Sequence, residues 1–147
     1  MKKNLLFILC LGISSVMMSQ TFVSTTAENK NVVLEEFTGI HCGYCPDGHV
    51  VAQGIYNQNP NDVVLINIHT GSYATPAAGE PDFRTPFGSA IDAAMMVSGY
   101  PAGSINRHAF PNTGPSSNPS GTGQAGGPAM SRSHWSTVSN IILNEPA

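Results

Sequence analysis

The apolar residues of this chain fall into blocks with different periods. Val32 to Thr38 is a β-branched and apolar run interrupted by Glu35 and Glu36, and Val63-Val64-Leu65-Ile66-Asn67-Ile68 is a second run with little alternation. Both read as strands covered on two faces, as in a parallel sheet. Between them Cys45 to Asn57 carries Val50, Val51, Gln53, Ile55 and Tyr56 and ends in the turn-rich Asn57-Gln58-Asn59-Pro60-Asn61-Asp62. Its length suits a helical crossover, although Gly48 and Gly54 each weaken a helix by roughly 1 kcal/mol relative to Ala. The first unit is therefore read as a right-handed βαβ. A polar loop, Thr70 to Thr85, leads to a second helix over Pro86 to Ser98, with Pro86 in its first turn and Gly99 past its end. Tyr100 to Arg107 is a turn and a short strand. Residues 110–128 hold five Gly, four Pro and three Ser without a charge and read as an irregular loop. Ala129 to Leu143, with Met130, Trp135, Val138, Ile141 and Ile142 at helical spacing, is an amphipathic terminal helix.

With 147 residues, 41% of them apolar and 10% charged, the chain has room for one domain with a real core. Residues 1–19 are set aside from that domain, which is taken as 31–147. Lys2-Lys3 followed by the apolar run Leu5 to Met18 has the form of a secretory signal peptide and is too short for a membrane span. Leu9 before Cys10 is a poor match to a lipidation site. Removal of the leader takes two of the six basic residues, leaving four against nine acidic ones and a net charge of −5. That balance excludes a basic face for nucleic acid. Asn144-Glu145-Pro146-Ala147 shows no closing strand, so the chain is expected to be cut at a linker before a second domain.

Without the leader, Cys42 and Cys45 are the only cysteines, an even pair in an exported chain where a disulfide forms and persists. They lie in His41-Cys42-Gly43-Tyr44-Cys45-Pro46, where the first strand hands over to the helix. A Cys-x-x-Cys at a helix start can close a small disulfide ring, and the positive end of the helix favours a thiolate on the first sulfur. In this reading Cys42 is the more exposed attacking thiolate and Cys45 resolves the mixed disulfide. A static staple is the second reading, although so short a loop constrains little of the unfolded chain. Metal is the third, since His41, His49 and His69 allow a Cys₂His₂ shell to be drawn. Position 46 is Pro, which excludes Cys-x-x-Cys-His haem attachment.

Two further groups bear on thiol chemistry. His41 is either a cationic or hydrogen-bonding neighbour that lowers the thiol pKa or a plain exposed histidine. The two-residue period of a strand puts Glu35 and Glu36 on opposite faces, so one of them must face the covered side. A carboxyl buried there has a raised pKa and can exchange a proton with the resolving thiol, whereas a strand-end carboxylate in water cannot.

Apolar strand, Glu36-Phe37, Cys42-Gly43-Tyr44-Cys45-Pro46, helix, strand, helix and Tyr100-Pro101 together resemble the thioredoxin superfamily over about residues 31–108. Glu-Glu-Phe-Thr-Gly followed by His-Cys-Gly-Tyr-Cys-Pro-Asp-Gly-His more closely resembles the 28-kDa-type outer membrane proteins with a thioredoxin-like N-terminal domain. The resemblance implies an α/β fold, a thioredoxin-like sheet flanked by helices. It also implies a buried acid at Glu36 and a cis proline at Pro101 that faces the disulfide and, with Tyr100, binds the partner chain. The antiparallel hairpin partner expected after Ile105 is not visible, which leaves the sheet incomplete at its C-terminal hairpin. Gly43-Tyr44 replaces the Gly-Pro of reducing thioredoxins, and no Trp precedes Cys42, so the direction of electron flow stays open.

The expectation is therefore an exported thiol–disulfide oxidoreductase-like domain in the periplasm or outer membrane of a Gram-negative cell. It uses no cofactor and no metal, and its partners are thiols or disulfides of envelope proteins. Outer-membrane association is assigned to a region beyond residue 147. The rivals are a non-catalytic outer-membrane binding or scaffold module with a static disulfide and a copper or zinc site on the same thiols.

Overall fold

A computed structural model describes residues 26–110 and 127–147. The leader, with Cys10, and nearly all of the Gly/Pro/Ser segment lie outside the described residues. In chain order the elements are β1 (Val32–Thr38), α1 (Cys45–Gln58), β2 (Val63–His69), α2 (Pro86–Met95), β3 (Ala102–Ile105), β4 (Met130–Ser131) and α3 (Trp135–Leu143). The strands form one mixed sheet in the order β2-β1-β3-β4. β1 runs parallel to β2 from Val32↔Val63 to Thr38↔His69 and antiparallel to β3 from Leu34↔Ile105 to Phe37↔Ala102. The fold is α/β, consistent with a thioredoxin-like sheet flanked by helices.

The hairpin partner that the sequence hid is β4, which pairs antiparallel with β3 through Ala102↔Ser131 and Gly103↔Met130. It occupies the beginning of the stretch read as a terminal helix. Ser131 and Ser133 bond each other at 2.6 Å, and a short 3-10 turn over Arg132–His134 follows, so α3 begins only at Trp135. Serines that bond locally compete with the helix ladder, which explains the later start. Residues 145–147 run antiparallel to 28–30, with Lys30 N–H donating to the Glu145 carbonyl at 2.9 Å and Ala147 N–H to that of Glu28 at 3.0 Å.

The strand alternation sorts the core onto two faces. Val32 and Leu34 of β1, Val63 of β2 and Ile105 of β3 pack beneath Ala52 and Ile55 of α1 and beneath Trp135, Val138 and Ile142 of α3. On the opposite face Phe37, Ile68 and Ala102 pack against Met95 and Ile91 of α2. That second cover is short. α2 ends at Met95, three residues before the expected end, because Met96 takes a left-handed conformation at φ 60° and caps it without a glycine. The expectation that both central strands are covered twice therefore holds for β1 only. On β2, an edge strand, Val64 and Ile66 are exposed.

Glu35 and Glu36 are both buried, on opposite faces. Glu35 is held by Arg107, whose Nε donates to both carboxylate oxygens at 3.0 and 2.9 Å, and by the Ser104 hydroxyl at 3.0 Å. A buried carboxylate paired this completely is a structural tie between β1 and the turn after β3. Glu36 is the carboxyl on the α1 side.

Candidate functional site

Cys42 and Cys45 form a disulfide with Cα atoms 5.4 Å apart. Only Cys45 lies within α1. Cys42 sits in the preceding turn, where its N–H donates to the Gly39 carbonyl at 3.0 Å and its own carbonyl accepts from Cys45 N–H at 3.2 Å. The helix begins at Cys45, as read from the sequence, and Cys42 lies just outside the run of free helical N–H groups. The order of exposure is the expected one, 7% for Cys42 against 1% for Cys45, but both are largely covered.

Below the pair, the buried stripe of α1 runs Cys45, Gly48, Ala52 and Ile55. The side chain beneath Gly48 is Glu36. A Cβ at position 48 would meet Glu36 Oε1 at 2.5 Å, Pro101 Cβ at 3.2 Å and Trp135 Cη2 at 3.2 Å. Gly48 is thus the residue that lets α1 settle onto the acid, the proline and the tryptophan at once. Its helix cost, apparent in the sequence, is the condition for this close approach.

Glu36 is 2% exposed, and its two oxygens face different surroundings. Oε2 lies 2.9 Å from His49 Nδ1, while Oε1, toward Gly48, has no hydrogen-bond partner. Burial pushes the Glu36 carboxyl above its ordinary value of 4.5, and the charge and hydrogen bond of His49 offset this only in part. Between the ordinary and the raised value an unfolded chain has released this proton and the folded chain still holds it. The contribution of Glu36 to stability is therefore full below 4.5 and is lost as pH rises through the raised value. Denaturant midpoints against pH should show Glu36→Gln gaining on the native chain across that window, and parallel curves would mean that the carboxyl does not titrate abnormally.

The Tyr100-Pro101 bond is cis, as the resemblance implied. Pro101 is buried against α1, whereas the Tyr100 hydroxyl donates to Asp92 at 2.7 Å and its ring meets Tyr73 edge-on. Burial, then the Asp92 carboxylate, pushes the Tyr100 phenol well above its ordinary range. Its hydroxyl is tied to α2. The loop between β2 and α2 also forms a wall beside Cys42. Tyr73 accepts from His41 N–H at 2.9 Å, and His41 Nε2 lies 2.8 Å from Glu80 Oε2 at the surface. The Ala77 N–H, and then His41, hold the Glu80 carboxyl below its usual value.

Glu36 and Pro101 thus meet α1 at Gly48, three residues after Cys45, while His41 pairs outward with Glu80. The residues that sequence reasoning passed over are His49 as the partner of Glu36, Glu80 as the partner of His41, and Trp135, whose ring closes the site from below. A histidine at the fourth position after Cys45 on the cysteine-bearing face was the one signal available for His49. The metal reading needed histidines at both sulfurs. Among the described residues no three His, Cys, Asp or Glu side chains converge to hold an ion, and His49 is engaged by Glu36. Among the described residues no helix is long and apolar enough to cross a membrane. In comparisons with known proteins, no protein family, no curated protein and no solved structure matches this chain.

Proposed function

We propose that this chain is an exported thiol–disulfide exchange domain whose Cys42–Cys45 pair cycles between disulfide and dithiol against cysteines of other envelope proteins. One observation carries the reading. α1 carries the disulfide at its N-terminus and, three residues after Cys45, meets at Gly48 a buried carboxyl whose Oε1 is unpartnered. Removing a carboxyl from water costs free energy that its single hydrogen bond offsets only in part, and donating a proton to a leaving thiolate is a use for an acid kept there. A partner thiolate attacks Cys42 Sγ, the less covered sulfur. The S–S bond breaks with its electron pair on Cys45 Sγ, and the Glu36 proton neutralises that sulfur. In the reverse step Cys45 returns the proton to Glu36, attacks the mixed disulfide and releases the partner's thiolate.

The resemblance to the thioredoxin superfamily supports this chemistry, and the closer resemblance to 28-kDa-type outer membrane proteins supports an envelope location. The cis Pro101 beside α1 and the Tyr100 ring supply the side along which an extended partner segment would lie. A second reading, a binding or scaffold module with a static disulfide, is favoured by the low exposure of Cys42.

The two separate on turnover. The purified chain should catalyse reduction of a protein disulfide such as that of insulin by dithiothreitol, and its free thiols, counted by intact mass, should follow the redox buffer. A potential near about −270 mV would make it a reductant and one near about −120 mV an oxidant. No acceleration, together with a disulfide that survives the buffer, would establish the static module.

A further inference from the structure

Glu36 is nearly sealed from bulk solvent. At 2% exposure its carboxyl has one side-chain hydrogen-bond partner, His49, yet the exchange reaction above makes it lose a proton on reduction and regain one on oxidation. Its Oε1 faces α1 at Gly48, and its Oε2 meets one group, His49 Nδ1, at 2.9 Å. The His49 side chain is 43% exposed, so a single imidazole touches both the buried acid and water. A cavity of about 140 Å³ runs along this contact, lined by Glu36, His49, Ala52, Gln53, Leu65 and Asn67. Its volume is enough for a few waters.

We propose that His49 is the port through which Glu36 exchanges its proton with solvent during disulfide exchange at Cys42 and Cys45. The inference rests on the exchange reading and adds the residue that keeps its acid loaded. When the partner's thiolate supplies the electron pair that ends on Cys45, the Glu36 proton moves to Cys45 Sγ and a buried carboxylate remains. His49 donates its Nδ1 proton to Oε2 and takes one from water. In the oxidising direction the same proton leaves by the reverse route.

The surroundings suit this role. Imidazole is the side chain whose ordinary titration falls nearest neutrality, so it both gives and accepts at working pH. The titratable groups that face His49 from the packed elements are Glu36 of β1 and His69 of β2, while Asp47 on α1 leans toward Arg132 at 3.7 Å. His69 is held below its ordinary value by burial and then by the charge of His49. A hydrogen bond that only anchored the carboxyl would not require a group with this exposure.

The test uses the full chain and dithiothreitol as the reducing probe. Reduction is quenched with iodoacetamide, counted by intact mass, and corrected for the thiolate fraction of the reagent from about pH 5 to about pH 8. His49→Ala should be reduced roughly a hundredfold more slowly, at the low end of what a lost proton-transfer group costs. Free imidazole should restore that rate in proportion to its concentration. His49→Gln, which can still bond Oε2 but carries no titratable proton, should be as slow as His49→Ala, and imidazole should do nothing for Glu36→Gln. Variants that keep the native rate and pH profile would overturn the proposal. So would slow variants with native circular dichroism that ignore imidazole, since they would assign His49 to positioning alone. Failure of the exchange reading looks different, because the native chain itself would then be reduced no faster than a short Cys-Gly-Tyr-Cys peptide, and the port would fall with it.

Discussion

Cys45→Ser should accumulate mixed disulfides with envelope proteins, and Cys42→Ser should accumulate none and lose catalysed exchange by at least about a thousandfold, as expected when an enzyme loses its nucleophile. The asymmetry comes from burial. Cys45, at 1% exposure, is sealed between the first turn of α1 and the side chains beneath it, while Cys42 lies in the turn outside the helix. An incoming thiolate therefore meets Cys42, and only Cys45 is placed to resolve the adduct. Without Cys45 the adduct persists; without Cys42 it never forms. Non-reducing gels of tagged variants, with adducts identified by mass, read this out. Equal ladders from both variants, or none from either, would leave the static module as the better account.

The largest stability effects are expected at Trp135 and Gly103. The Trp135 ring is fully buried, its Nε1 donates to the Met130 carbonyl at 3.2 Å, and its edge reaches the underside of α1 at Gly48. It lies so close over β3 that a Cβ on Gly103 would sit 2.6 Å from Cε2 and 2.7 Å from Nε1. A wholly buried ring has no room to yield. Gly103→Ala should cost about 3 kcal/mol by overpacking, and Trp135→Ala about 3–5 kcal/mol by leaving a cavity. Urea midpoints measure both. Because the same ring supports Gly48, Pro101 and Glu36, Trp135→Ala should also lower the Glu36 pKa by admitting water, a change that the pH dependence of stability would report. A Gly103→Ala chain as stable as the native one would mean that α3 can slide and that the site's floor is not fixed by this contact.

Much of this organisation was legible in the chain itself. The period of the apolar runs and the handover from strand to helix at Cys42 and Cys45 specified the βαβ unit, because these signals act over short stretches of backbone. The opposite facing of Glu35 and Glu36 followed from strand geometry alone. What did not follow was where short or shared elements end. α2 stops early because Met96 accepts a left-handed cap, and β4 is only two residues whose strand character exists through pairing with β3. A two-residue ladder has no period to read.

The sequence by itself determined the kind of chemistry within reach: a Cys-x-x-Cys pair at a helix start and an acid on the neighbouring strand. Tertiary structure alone decided which groups serve one another. Glu35 and Glu36 are adjacent and chemically alike, yet one is neutralised by Arg107, 72 residues away, and the other is left with a free oxygen beneath Gly48. Gly48 and Gly103 read locally as weak points of a helix and a strand. They are the places where a carboxyl and an indole come too close for any side chain. Propensity is set by neighbours in the chain, and these contacts are set by neighbours in space, so only the packed sheet and helices could turn Glu36, His49 and Trp135 into parts of one site.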